Sequence, residues 1–422
     1  MTTRLALLCG AVLIDMIGFG IVLPLLPFYA LSFEASPFDV TLLIASFSAM
    51  QLAAAPLWGR LSDAHGRKPI LLIGLLVSAV AYVLFALAST LPMLYVARLL
   101  AGAAGGTVSV AQAYVADTTT SKERARGLGY IGAAAGLGVM IGPAIGGVFS
   151  RWGLGAPGWV AAALCLIDAI AILFLLPESR LSRAAAARAE VAGRTGRRRT
   201  LTIGAWARAL TTPPLSLLLG VYFLSISSFA AMTSTLALYV ERAFAMDAQQ
   251  MGWVLTASGG VTVVVRGILL GPLVARFGEA TTARVGAASL ALALLLVPLI
   301  PGKWWLAAVV LFYAGGAGTL FPSLASLVSR ATHADVQGAI LGGSQMIGGL
   351  GRVIGPLWAG LAFERIGIGS PFLIGASIVA CAAVLALRIP AADDEDSAPA
   401  EAAGTARTDE AIVEEAPVRS SP

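Results

Sequence analysis

Apolar residues run through this chain in long blocks separated by short polar loops. A helix needs roughly 20 apolar residues to cross about 30 Å of hydrocarbon. Twelve blocks meet that need, near 5–31, 40–60, 69–88, 92–115, 127–150, 158–176, 214–240, 249–273, 281–300, 303–330, 337–360 and 369–388. The pattern predicts an all-α polytopic membrane protein with twelve spans. The first block has no small-residue cleavage site after a short core, so it is read as a retained helix rather than a signal peptide. The loops between spans leave no room for a soluble domain.

The blocks also repeat. Gly129, Gly138, Gly142-Pro143 and Gly146-Gly147 form a glycine ladder in span 5, and Gly351, Gly355-Pro356 and Gly360 form a second one in span 11; Gly355 follows Gly142 by 213 positions. Between spans 2 and 3, Gly59-Arg60-Leu61-Ser62-Asp63-Ala64-His65-Gly66-Arg67-Lys68 has a worn copy 212 positions on, from Gly271 to Glu279, with Ala275 in place of Asp63. Spans 6 and 12 end near Leu176 and Arg388, again 212 apart. Internal repeats of this kind are typical of membrane transporters. The chain divides into two six-helix halves, 1–177 and 213–390, joined by a basic linker, 178–212, and followed by an acidic tail, 391–422.

Composition agrees and narrows the choice. The chain is 58% hydrophobic and 12% charged, with a mean hydropathy of +0.86; soluble domains carry roughly 25% charged residues. Cys9, Cys165 and Cys381 all fall in apolar blocks and read as small packing residues. His65 and His333 are the only histidines, so neither a metal site nor a cofactor is expected, and no nucleic-acid partner either. An enzyme would need a nucleophile or general-base constellation at the membrane edge, and two loop histidines supply none.

Loop charge sets the orientation. With both ends inside, the cytoplasmic side holds nineteen Lys and Arg residues, from Arg4 through the eight arginines of the linker to Arg388, against Arg151, Arg242, Lys303 and Arg365 outside. The linker reads either as a strip lying on the anionic leaflet or as a solvated tether. The tail, with Asp393, Asp394, Glu395 and Asp396 in a run, reads as disordered.

The loop motif, Gly59-x-Leu61-x-Asp63-x-x-Gly66-Arg67-Lys68, resembles that of the major facilitator superfamily. The span 5 ladder is similar to the superfamily's antiporter motif, found in drug/proton exchangers and scarce in uniporters and symporters. Asp15-Met16-Ile17-Gly18-Phe19-Gly20 with Pro24 and Pro27, and Met50-Gln51 followed by Pro56, resemble drug exporters of the tetracycline-efflux type. The resemblance covers roughly 5–388. It implies a monomeric inner-membrane carrier that exchanges protons for small hydrophobic or amphipathic compounds, drug- or tetracycline-like, by alternating access. A carrier of a metabolite such as a sugar or amino acid is the alternative. Those tetracycline exporters carry acids in spans 3 and 9 and a histidine in span 8; here spans 3 and 9 have no Asp or Glu, and span 8 has Arg266 but no histidine.

Charges inside the membrane are costly and usually functional. Asp15 lies about 15 Å into span 1 and Arg98 about 10 Å into span 4 from the other side, so the two are expected to pair, with proton and cargo competing at Asp15. The resemblance adds that Asp63 and Arg67 latch the cytoplasmic side closed in one state and that the ladder seals the helix interface. Gln51, Gln112, Tyr114, Tyr222, Phe229, Gln345 and Arg352 are candidates for the cavity wall, along with Trp253, Phe321 and Trp358. The roles of Asp168, Arg266 and Arg352 are left open. Ser227 stands 212 positions after Asp15, and Val310 after Arg98, so proton coupling is expected in the first half.

Overall fold

The computed structural model describes residues 3–119, 121–178, 213–332 and 337–389. The acidic tail and the linker from 179 onward, with the readings attached to them, lie outside these residues. Among the described residues every regular element is helical.

In the first half, α1 (Thr3–Val22) and α2 (Leu26–Leu31) make span 1, interrupted where Pro24 and Pro27 remove backbone donors. Helices α3 (Pro37–His65) and α4 (Arg67–Ala86) follow. Ser36 opens α3 with a capping box: its hydroxyl accepts from Asp39 N at 3.1 Å, and Asp39 Oδ2 accepts from Ser36 N at 3.0 Å. Span 4 is also broken, into α5 (Leu91–Ala104) and α6 (Thr107–Thr118), at Gly105-Gly106. Side chains of α3 fill the break: Gln51 donates to Gly105 O at 3.3 Å, and the Trp58 indole donates to Ala103 O. Helices α7 (Ser121–Phe149) and α8 (Ala156–Leu175) complete the half.

The second half comprises α9 (Leu215–Phe244), α10 (Ala248–Val264), a π-helical turn (Val265–Leu269), α11 (Leu270–Leu296), α12 (Leu306–Arg330), α13 (Gln337–Arg365) and α14 (Ser370–Ala386). Among the described residues, ten helical stretches are long and apolar enough to cross a membrane. One of them, Ala248–Leu299, has 52 residues. At 1.5 Å per residue that is about 78 Å, more than twice the hydrocarbon thickness. It turns back at Gly278, whose φ of 76° is left-handed, and so supplies two passes. With the shorter apolar Ser370–Ala386 the number of passes reaches twelve.

The halves meet through α3 against α13 and α7 against α10. Their closest contacts lie at one end. Phe38 N donates to Glu364 Oε2 at 3.1 Å, and Arg151 Nε donates to Gln249 Oε1 at 2.8 Å. A Cβ on Gly360 would lie 3.2 Å from Phe38 Cα, and one on Gly147 would lie 3.1 Å from Gln249 O. Toward the loop-motif end, Leu57 and Leu61 of α3 are exposed, and Gly129, Gly132 and Gly136 of α7 have nothing within 4 Å of a built Cβ. The bundle is shut at one end and parted at the other.

Candidate functional site

Asp15 on α1 and Arg98 on α5 are both buried, with 7% and 4% of their surface exposed. The expected pair does not form: among the described residues no ion pair involves either group. The Arg98 guanidinium instead lies 4.5 Å from the centre of the Phe47 ring of α3, a cation–π contact, and its Nε has no partner. The Asp15 carboxylate approaches the Thr107 hydroxyl at the first residue of α6, without a hydrogen bond of normal geometry. The Tyr82 phenol of α4 lies within electrostatic range of both Asp15 and Arg98. Asp168 of α8, only 2% exposed, joins this group: it interacts with Asp15, and its Oδ2 has no hydrogen-bond partner. The first half therefore encloses two carboxylates and one guanidinium without a direct salt bridge. Gain or loss of one proton there changes the enclosed charge by a full unit in a low-dielectric surround.

The loop motif is built as the spacing suggests, with partners the sequence did not disclose. Gly66 has φ 97°, a region open to glycine, and a Cβ there would lie 3.0 Å from the Glu178 carboxylate. Arg67, 12% exposed, pairs with Asp63 at 2.7 Å and with Asp117 at the end of α6 at 2.8 Å. It also donates to the Ser62 hydroxyl at 2.6 Å. Its backbone N–H donates to Glu178 at 3.0 Å, and Lys68 Nζ donates to Leu173 O at 2.8 Å. The motif thus ties spans 2, 3, 4 and 6 of one half together. Asp117 and Glu178 carried only one signal, that each is the acidic residue closing an apolar span.

The second half repeats this tie with its charges exchanged. Glu279 occupies the place of Arg67, and Arg330 lies 213 positions after Asp117. The two form an ion pair at 3.6 Å. Loss of Asp63 to Ala275 has not abolished the second tie. Arg330 is 59% exposed, however, and exposed pairs contribute about 0–1 kcal/mol. Double-mutant cycles on unfolding should therefore give a coupling below about 1 kcal/mol for Glu279–Arg330. For the more enclosed, shorter Arg67–Asp117 pair the coupling should be larger, about 1–3 kcal/mol. Equal couplings would refute this ranking.

The glycine ladder packs mainly within its own half. A Cβ on Gly138 would lie 2.6 Å from Leu13 O, and one on Gly142 would lie 2.6 Å from Gly20 Cα; Gly146 faces Ile21. Of the ladder, only Gly147 and Pro143 reach across, to Gln249 and Gly252 of α10. Gly129, expected in the ladder, is exposed and touches nothing. It lies two turns before the close approach begins.

The cavity candidates separate. Tyr114 is fully buried in the first-half core, donating to Pro177 O at 2.6 Å, and is removed from the cavity wall. Gln51 supports the span 4 break. Gln112 and Gln345 are exposed. Trp358 donates to Ser227 Oγ at 3.1 Å, and Trp253 lines an apolar cavity of about 590 Å³ between α10 and the start of α12. Tyr222, Phe229 and Phe321 cluster with Tyr313, which sequence reading missed. Arg266 and Arg352 both act on the Tyr222 phenol. Among the described residues, no group of three or more His, Cys, Asp or Glu side chains could hold a metal.

Comparison with known proteins gives a consistent result. A family model described as Major Facilitator Superfamily matches residues 8–356 and 218–420. The class D tetracycline resistance protein of Salmonella ordonez is 32% identical over 391 residues, covering 90% of this chain and 95% of that one. Multidrug resistance protein 2 of Bacillus subtilis (strain 168) is 27% identical over 378 residues, covering 89% and 92%. Among solved structures, a point mutant of the nucleoside transporter NupG superposes with a TM-score of 0.76 at 15% identity, covering 91% of this chain and 99% of that one.

Proposed function

Since the chain belongs to the Major Facilitator Superfamily, we propose that it exports small hydrophobic or amphipathic compounds in exchange for protons, by alternating access between its two halves. The observation that carries this is the enclosed, unpaired charge of the first half: Asp15 and Asp168 beside Arg98, next to a broken span 4. Broken helices and intramembrane acids are the usual sites of cargo and proton binding in transporters. Tetracycline and multidrug resistance proteins among the relatives support a drug-like cargo over a metabolite.

The Lys and Arg bias of the loops puts the loop motif and both termini in the cytoplasm. With that orientation the parted loop-motif end faces the cytoplasm, which supports reading this as the cytoplasm-facing state. In this reading Asp15 exchanges the proton, Tyr82 and Arg98 tune it, and the Arg67 and Glu279 ties hold each half rigid as they rock. The protein works in the inner membrane as a monomer.

Expression in a pump-deficient bacterium tests the proposal. The cells should accumulate less ethidium and tetracycline than vector controls, and a protonophore should erase the difference. Export that persists with the protonophore would refute proton coupling.

A further inference from the structure

Four of the eight described arginines of the second half have a structural task, and Arg365 and Arg388 lie at helix ends. Arg242 lies 5.2 Å from the Phe363 ring centre, Arg276 lies 5.4 Å from that of Phe277, Arg284 donates to Ala386 O at 3.0 Å, and Arg330 pairs with Glu279. Arg266 and Arg352 differ. Neither forms an ion pair or a hydrogen bond among the described residues, yet both lie within spans. The described acidic residues of this half, Glu241, Asp247, Glu279 and Glu364, all fall near helix ends or at the Gly278 turn. None of them neutralises the two guanidinium groups.

Both charges lie within electrostatic range of one phenol. Arg352 comes from α13 and Arg266 from the π-helical turn after α10, and both act on the Tyr222 phenol of α9. Single π turns in α-helices often mark functional sites. Beside Tyr222 is a packed aromatic cluster. Phe229 stacks on Tyr313 at 4.9 Å and 3°, and Phe321 stands edge-on to Phe229 at 5.5 Å and to Tyr222 at 5.9 Å. The Tyr313 hydroxyl is buried without a partner.

We infer that the second half holds a binding site for an aromatic organic anion: Arg266 and Arg352 take its acidic group, and the Tyr222, Phe229 and Phe321 rings, backed by the buried Tyr313, take its flat body. The inference rests on the export reading above and narrows its cargo. Guanidinium groups grip carboxylate, sulfonate or enolate oxygens with strong charge-assisted bonds. Two uncompensated positive charges select against a cation in the same place. Proton exchange then falls to the first half and anion capture to the second.

The test uses the full chain in zwitterionic lipid nanodiscs and in everted vesicles, with fluorescein as an aromatic anion and ethidium as an aromatic cation. The wild type should bind fluorescein more tightly than ethidium. Arg266→Gln and Arg352→Gln should each weaken fluorescein binding about tenfold or more, as loss of a charge-assisted bond predicts. Arg352→Lys should recover part of the loss, and all variants should match the wild type in thermal unfolding. Unchanged fluorescein binding in the double Gln variant, with proton-driven ethidium transport intact, would overturn the anion site and leave the export reading standing. Arginine-dependent fluorescein binding, with neither dye moved by a proton gradient, would leave the site standing and overturn export.

Discussion

Asp15→Asn should reduce proton-driven efflux to the level of empty vesicles while the protein still accumulates in the membrane. Asn keeps the size of the side chain and removes the proton-binding group, so packing around Tyr82 and Gly18 is preserved. Asp15 is the sole acidic residue of span 1 above the loops, and its carboxylate has no ion-pair partner among the described residues that would fix its charge. The measurement is dye uptake into everted vesicles under an imposed acid interior, beside counterflow of cargo with no gradient. Counterflow should survive, because it needs alternating access but no net proton movement. Full gradient-driven uptake by Asp15→Asn would move the coupling site elsewhere, with Asp168 the remaining buried acid described in the first half.

Gly142→Leu should dismantle the packing of α7 on α1. The first added carbon alone would lie 2.6 Å from Gly20 Cα and 2.7 Å from Ile17 O, and backbone cannot rotate aside as a side chain can. Overpacking a well-filled interior costs about 1–3 kcal/mol, occasionally more. Two backbones in near contact place this case at or above the upper end. Gly129→Leu is the internal control. It belongs to the same sequence pattern, yet nothing lies within 4 Å of its built Cβ, and leucine is the better helix former by up to about 0.8 kcal/mol. Thermal unfolding in detergent should separate them: a clear drop in melting temperature for Gly142→Leu, and none for Gly129→Leu. Equal behaviour would mean that the ladder does not pack as described.

The comparison of those two glycines shows what is readable in the chain. The spans, the duplication and the loop motif follow from local rules: apolar length, a period near 212 and turn residues at fixed offsets. Pairing in space does not. The Gly129 and Gly138 positions look alike in sequence, but only the face carrying 138, 142 and 146 turns toward α1. Depth alone matches Arg98 to Asp15; the direction of its side chain, toward Phe47, depends on how α5 rotates against α3. Tyr114 reads as a cavity aromatic because an amphipathic ring next to a charged loop looks the same whether it faces a void or a carbonyl. Asp117 and Glu178 carry no local sign that the Arg67 side chain reaches one and its backbone N–H reaches the other. Tyr313 sits in an apolar run with no flag, and only the stack against Phe229 reveals it.

The exchanged charges of the two ties have a consequence for how the halves meet. In a faithful duplication, a twofold axis sets like beside like. Arginine would approach arginine, and aspartate would approach aspartate, whenever the parted end drew together. Here Arg67 corresponds to Glu279, and Asp117 to Arg330, so the rotation that relates the halves also inverts their sign. Approach of corresponding positions lowers the electrostatic energy instead of raising it. At these two positions the halves are complements in charge while remaining copies in shape, and a chain assembled from the first half twice over would lose that complementarity.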